Sequence, residues 1–148
     1  MLQLRPSSTL DGGDFGWPKA KHHFAVSPGF QISLRPRVNG REPRWSTRRF
    51  PKTDRANQLV VPASGTPDDI DAIPTGADGR VLGATLFAGA QRQYELGDFR
   101  HAYLVPTRGS IEVNGIYLGM GDGIAVRDES HLTVSASEDA EIVLVATA

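Results

Sequence analysis

Apolar and polar positions alternate with a period of two through most of the second half of the chain, and turn residues interrupt the alternation every 8–12 residues. Gly79–Ala88 (GRVLGATLFA) alternates β-branched and small residues, and Gln91–Leu96 (QRQYEL) reads as its partner strand. Ala102–Pro106 (AYLVP) is a continuous apolar run of strand length. Ser110–Val113 and Ile116–Gly119 flank Asn114-Gly115, a strong hairpin signal because both turn positions need positive φ. Gly123–Arg127, Leu132–Ala136 and Glu141–Ala146 complete the series. No amphipathic helix of useful length follows Gly76, so the pattern predicts a β-sandwich or β-barrel.

The first half is less regular. Phe30–Leu34 (FQISL) alternates as a strand, Asn39-Gly40 can turn it back, and Trp45–Phe50 (WSTRRF) reads as an extended return. Leu59–Pro62 (LVVP) is a short buried strand. Ahead of these, Phe15–Phe24 (FGWPKAKHHF) mixes aromatics with charge and fits an arm that packs aromatic anchors on a barrel. Ala63–Gly79 (ASGTPDDIDAIPTGADG) lacks apolar periodicity and reads as a long surface loop. Its acids Asp68, Asp69 and Asp71 lack the Gly and distal Glu of an EF-hand, so they are expected to be solvated.

Composition sharpens this picture. The 148 residues, with 16 Gly, 10 Pro and 39% apolar side chains, suit one domain of many short strands. Cysteine is absent, which removes disulfides and thiolate metal sites and agrees with a cytoplasmic setting. No apolar run is long enough to span a membrane, and MLQLRPSSTLDGGD lacks the blocks of a secretory signal. Net charge is −1, but residues 1–55 carry eleven Lys/Arg against four Asp/Glu, and the remainder five against thirteen. Arg35, Arg37, Arg41, Arg44, Arg48 and Arg49 surround Trp45, a pattern that could bind nucleic acid. Ion pairing between the basic half and the acidic half, within the chain or across an interface, is the favoured reading.

The segment FQISLRPRVNGREPRWSTRRFP carries a family resemblance. Its apolar strand Gln31–Leu34, Pro36, Gly40, Glu42-Pro43 and Arg48–Pro51 resemble the segment joining the two cupin barrels of pirin-like proteins. Leu59–Ser64 (LVVPAS), Gly115, Gly121-Asp122-Gly123 and Asp128-Glu129-Ser130 resemble the C-terminal cupin of the bacterial quercetinase branch. Gly16-Trp17 and Lys21-His22-His23-Phe24 resemble the first strands of the N-terminal cupin. The resemblance implies an all-β fold: a single cupin-type (RmlC-like jelly-roll) barrel with an N-terminal extended arm. One structural unit is expected, with the arm at 1–29, the joining strand at 30–56 and the barrel at 57–148. Only five residues separate Phe24 from Phe30, where the family's metal-bearing barrel would intervene, and the family's C-terminal cupin usually holds no metal.

A cupin metal site needs three imidazoles and a carboxylate in an array with open positions. Counting back from Gly109 on the family pattern, the histidine positions fall on Leu96 and Asp98 and the glutamate on Ala102. His131 lies one residue short of the second motif's spacing after Gly121, and such a slip turns a strand side chain to the other face. His22 and His23 point to opposite faces if extended, and His101 sits beside Arg100 at a strand start. No cofactor or metal is therefore expected, with His22, His23, His101 and His131 as the residual candidates. Gly-x-Ser-x-Gly is missing, so no nucleophile elbow is indicated. Gly119–Gly123 (GMGDG) reads as a barrel corner in which Asp122 bonds turn amides, since no helix follows to make a phosphate loop. Glu95 and Asp98 could pair as carboxylates but have no histidine in fitting register.

The expectation for function is a non-catalytic, metal-free interaction module. Two alternatives stand beside it: a metal-dependent dioxygenase of quercetinase type, and a metal-free small-molecule binder lined at the barrel mouth by Tyr94, His101 and Tyr103. A face normally covered by a missing barrel needs another cover. A homodimer burying Trp17, Phe24, Phe30 and Trp45 meets that need, with a small molecule or another protein as the alternative partner. Neither a membrane nor nucleic acid is the expected partner.

Overall fold

A computed structural model describes residues 3–6, 30–40, 42 and 46–148, with side chains from residue 30 onward. It forms two compact units, Met1–Arg35 and Pro36–Ala148. The boundary falls inside the anticipated joining strand, at a proline that fixes φ and offers no N–H to continue a ladder. In the first unit β1 (Gln3–Pro6) pairs antiparallel with β2 (Phe30–Ser33). The strand expected at 30–34 is thus present. Its partner is the N-terminal segment and not 45–50, of which the described residues 46–50 form no strand.

The second unit opens with a 3-10 turn, Thr53–Arg55, followed by β3 (Val60–Ser64), β4 (Ile73–Pro74), β5 (Gly79–Leu86) and β6 (Gln91–Glu95). β7 (His101–Arg108), β8 (Ile111–Val113), β9 (Ile116–Leu118) and β10 (Ile124–Arg127) come next, then β11 (His131–Ala136) and β12 (Ala140–Thr147). They build a six-stranded sheet in the order β10-β7-β12-β5-β3-β4 and a four-stranded sheet in the order β6-β11-β8-β9. Every pairing is antiparallel except the short contact of β3 with β4.

Alternation in the strands places one side-chain set from each sheet in a shared core. Leu82, Ala84 and Leu86 of β5, Leu104 of β7 and Ile142 and Leu144 of β12 meet Leu132 and Val134 of β11 and Ile111 and Val113 of β8. Each fully buried leucine removes enough apolar surface from water to contribute about 2 kcal/mol. The β8–β9 hairpin turns where predicted, with Asn114 at φ 47° and Gly115 at φ 84°. Asn114 does more than turn: Thr133 N donates to its Oδ1 at 2.8 Å and its own N–H reaches Thr133 O, so the turn is stitched to β11. Asn57 serves the same purpose at the start of the barrel, receiving the Phe87 amide on Oδ1 at 2.9 Å and donating its N–H to Thr85 O.

Candidate functional site

The interior of the barrel is where a cupin would bring its ligands together. Leu96 is 1% exposed and Ala102 5%, and both belong to the apolar core. On β11 it is Leu132, 0% exposed, that points inward. His131, one residue earlier, lies on the opposite face and is exposed, with Ser130 Oγ 2.9 Å from its Nδ1 and Glu95 opposite it on β6. His101 starts β7 on the other sheet, also exposed, beside Arg127 and Thr147. The two histidines are not brought together, and His22 and His23 lie outside the described residues. Among the described residues no three His, Cys, Asp or Glu side chains form a group able to hold a metal ion. Their donor set does not fit a cupin metal: of the three motif positions, Leu96 and Ala102 offer an isobutyl and a methyl group, and Asp98 offers an exposed carboxylate where an imidazole would be required.

Tyr94 lies on β6 of the four-stranded sheet, and His101 and Tyr103 lie on β7 of the six-stranded one. Tyr94 pairs with Leu132 and packs against the core, whereas Tyr103 alternates with the buried Ala102 and Leu104 and faces away from it, as does His101. Strand alternation puts His101 and Tyr103 on one outward face of the six-stranded sheet and Tyr94 on the core side of the four-stranded one. Glu95 and Asp98 are both exposed. Phe30 is 43% exposed in the single chain; Trp17, Phe24 and Trp45 lie outside the described residues. Asp122 fills the corner role foreseen for it, accepting the Gly119 amide at 2.8 Å.

Asp69 is not a solvated loop acid. Arg80 of β5 grips it with two hydrogen bonds, Nε to Oδ2 at 2.6 Å and an NH2 nitrogen to Oδ1 at 3.1 Å. Ser64 donates to the same carboxylate, and the guanidinium lies 5.4 Å above the Phe99 ring centre. The bond to Arg80 is the main reason the Asp69 pKa falls below 3.8, against the opposing effect of burial. Tyr94 Oη is buried beyond this pair without a hydrogen-bond partner of good geometry. Burial raises its pKa, and the nearby Arg80 only partly offsets that. Asp68 and Asp71 are exposed as expected.

The basic stretch does pair with the acidic barrel. Arg37 meets Asp78, Arg48 donates to the Asp71 carbonyl, and Lys52 and Arg55 converge with Arg108 on Glu141. Arg41 and Arg44 lie outside the described residues. Glu141, only 14% exposed, was missed as a centre of charge in the sequence reading. Its signal was there as the one ionised side chain in the apolar run Glu141–Ala146.

Two facing antiparallel sheets around a packed apolar interior define a cupin-type β domain. Residues 63–146 match the quercetinase C-terminal cupin domain. A pirin-like protein of Caulobacter vibrioides is 50% identical over 116 residues, covering 78% of this chain and 50% of the relative. A Pseudomonas aeruginosa protein provisionally named quercetin 2,3-dioxygenase is 47% identical, covering 80% of this chain and 51% of its own length. The chain belongs to the pirin-like, quercetinase-type cupin family, and it spans about half the length of the curated relatives it matches. The crystal structure of a bacterial pirin from Escherichia coli in complex with nickel(II) superimposes with a TM-score of 0.72. At 24% identity, over 80% of this chain and 49% of that one, this likeness supports the fold. No helix among the described residues is long and apolar enough to cross a membrane.

Proposed function

We propose that this chain is a metal-free, non-catalytic cupin that works as a binding or interaction module. The supporting observation is the packing of Leu96, Ala102 and Leu132 into the core at and beside the positions from which the family motifs would present ligands. A homodimer and a cytoplasmic setting belong to the same reading, the latter supported by the cysteine-free composition.

The names of the relatives and the nickel(II) complex of the Escherichia coli pirin favour a second reading, a metal-dependent quercetin 2,3-dioxygenase. That reading requires His101 and His131 to meet His22 and His23 at one ion. Elemental analysis of untagged protein, before and after incubation with iron(II), manganese(II) or nickel(II), separates the two. Near-zero occupancy and no flavonol turnover are expected. A stoichiometric metal with turnover would overturn the metal-free reading.

A further inference from the structure

The tripeptide Val-Asn-Gly occurs twice, as Val38-Asn39-Gly40 and as Val113-Asn114-Gly115, so one piece of covalent chemistry sits in two environments. In an Asn-Gly pair the glycine backbone nitrogen can reach the asparagine side-chain carbonyl carbon, because the glycine has no Cβ to obstruct it and turns freely. Whether it does so depends on what holds the carboxamide and the turn.

At the second copy both are held. Asn114 Oδ1 accepts the Thr133 amide at 2.8 Å, and its Nδ2 reaches the His131 carbonyl at 3.5 Å. The Asn114 amide donates to Thr133 O at 3.0 Å, and Val113 pairs with Ile116 across the turn. Ring closure there must pull the carboxamide off β11 and distort a turn set at φ 47° and 84°. At the first copy the turn belongs to no strand, and Asn39 and Gly40 are both exposed. Among the described residues nothing holds the Asn39 carboxamide as β11 holds that of Asn114. A Cβ on Gly40 would meet nothing within 4 Å, so the space a ring needs is open. Two Asp-Gly steps could close the same ring with loss of water, but Asp78 is paired with Arg37 and Asp122 accepts the Gly119 amide.

We propose that Asn39 is a site of spontaneous deamidation in the folded protein, and that β11 protects Asn114 from the same reaction. The Gly40 nitrogen attacks Asn39 Cγ and gives up its proton, and ammonia leaves as the C–N bond of the carboxamide breaks. Water then opens the resulting cyclic imide at either carbonyl, leaving an aspartyl or an isoaspartyl residue at position 39. The product carries a new negative charge two residues from Arg37, inside the basic stretch that pairs with the barrel. The inference is independent of whether the barrel takes a metal.

The test holds the full chain in warm, mildly alkaline buffer made with H2 18O, folded and in guanidinium chloride, and follows both asparagine peptides by mass spectrometry. In the folded chain Asn39 should take up 18O at least about tenfold faster than Asn114, whose hydrogen bonds must break before the ring can close. In denaturant the two rates should converge, because the tripeptides are the same. Asn39→Gln, an exposed change that lengthens the side chain and disfavours the ring, should abolish the acidic species that accumulates on ion exchange. Equal rates in the folded chain, a faster Asn114, a rate ratio that persists in denaturant, or an acidic species retained in N39Q would each overturn the assignment.

Discussion

At Gly65 the chain passes so close to itself that a Cβ would sit 1.7 Å from the Ala77 carbonyl oxygen. The approach is held by hydrogen bonds on both sides, Gly65 N to Gly79 O at 2.9 Å and Thr75 N to Ser64 O at 2.7 Å. The obstacle is backbone and cannot rotate away, so any side chain must push the two segments apart. Gly65→Ala should therefore cost about 3 kcal/mol, the upper range of overpacking, read as a lowered urea midpoint with unchanged slope. A wild-type midpoint would mean that the crossing is loose. At this same scale some chemistry was legible beforehand. The face of His131 followed from setting its spacing against the motif of the family that the chain resembles, because period two converts one residue of slip into a change of side. Asp69 was not legible, since its partner Arg80 lies eleven residues on, across a loop without periodicity.

The elements separate into those that local signals specify and those that need a distant partner. Strands β5 to β12 were visible because alternation and the Asn-Gly turn are properties of a few consecutive residues. The β1–β2 pairing joins segments more than twenty residues apart, and β4 has only two residues, so neither had a local signature. The loop carrying β4 is fastened by the Ser64–Asp69–Arg80 clasp, which gives it a pH dependence. Asp69 has a folded pKa below its ordinary 3.8, so its ionised form is favoured by folding. The stability it supplies is complete above that ordinary value and is lost as pH falls through the folded one. Asp69→Asn should destabilise the protein by about 1–3 kcal/mol at neutral pH, through loss of a bidentate charged contact and an unpaired Arg80. The gap between variant and wild type should shrink on acidification below about pH 4. Chemical denaturation at neutral and acid pH measures both, and a gap that persists in acid would show that the pair is not the cause.

At the scale of the whole molecule, the buried apolar cluster among the described residues runs from Leu82 to Ala146, with Leu59 and Val61 packed against it, inside the unit Pro36–Ala148. The ion pairs that tie 37–55 to the strands, through Asp78 and Glu141, also lie within that unit. A chain beginning at Pro36 should therefore unfold cooperatively on its own, since the hydrophobic driving force and its cross-links remain. The proposed homodimer depends instead on aromatic residues, most of which precede that point: Trp17, Phe24 and Phe30. Phe30, with 43% of its surface exposed in the single chain, is the described member of that set. Sedimentation of the full chain and of the Pro36–Ala148 fragment then gives the decisive comparison. The full chain should be a dimer at micromolar concentration and the folded fragment a monomer. A monomeric full chain would end the homodimer reading. A fragment that still dimerises would move the interface onto the barrel. There β9, an edge strand among the described residues, exposes Ile116 and Tyr117 at 54% and 68%, a surface able to receive a second copy.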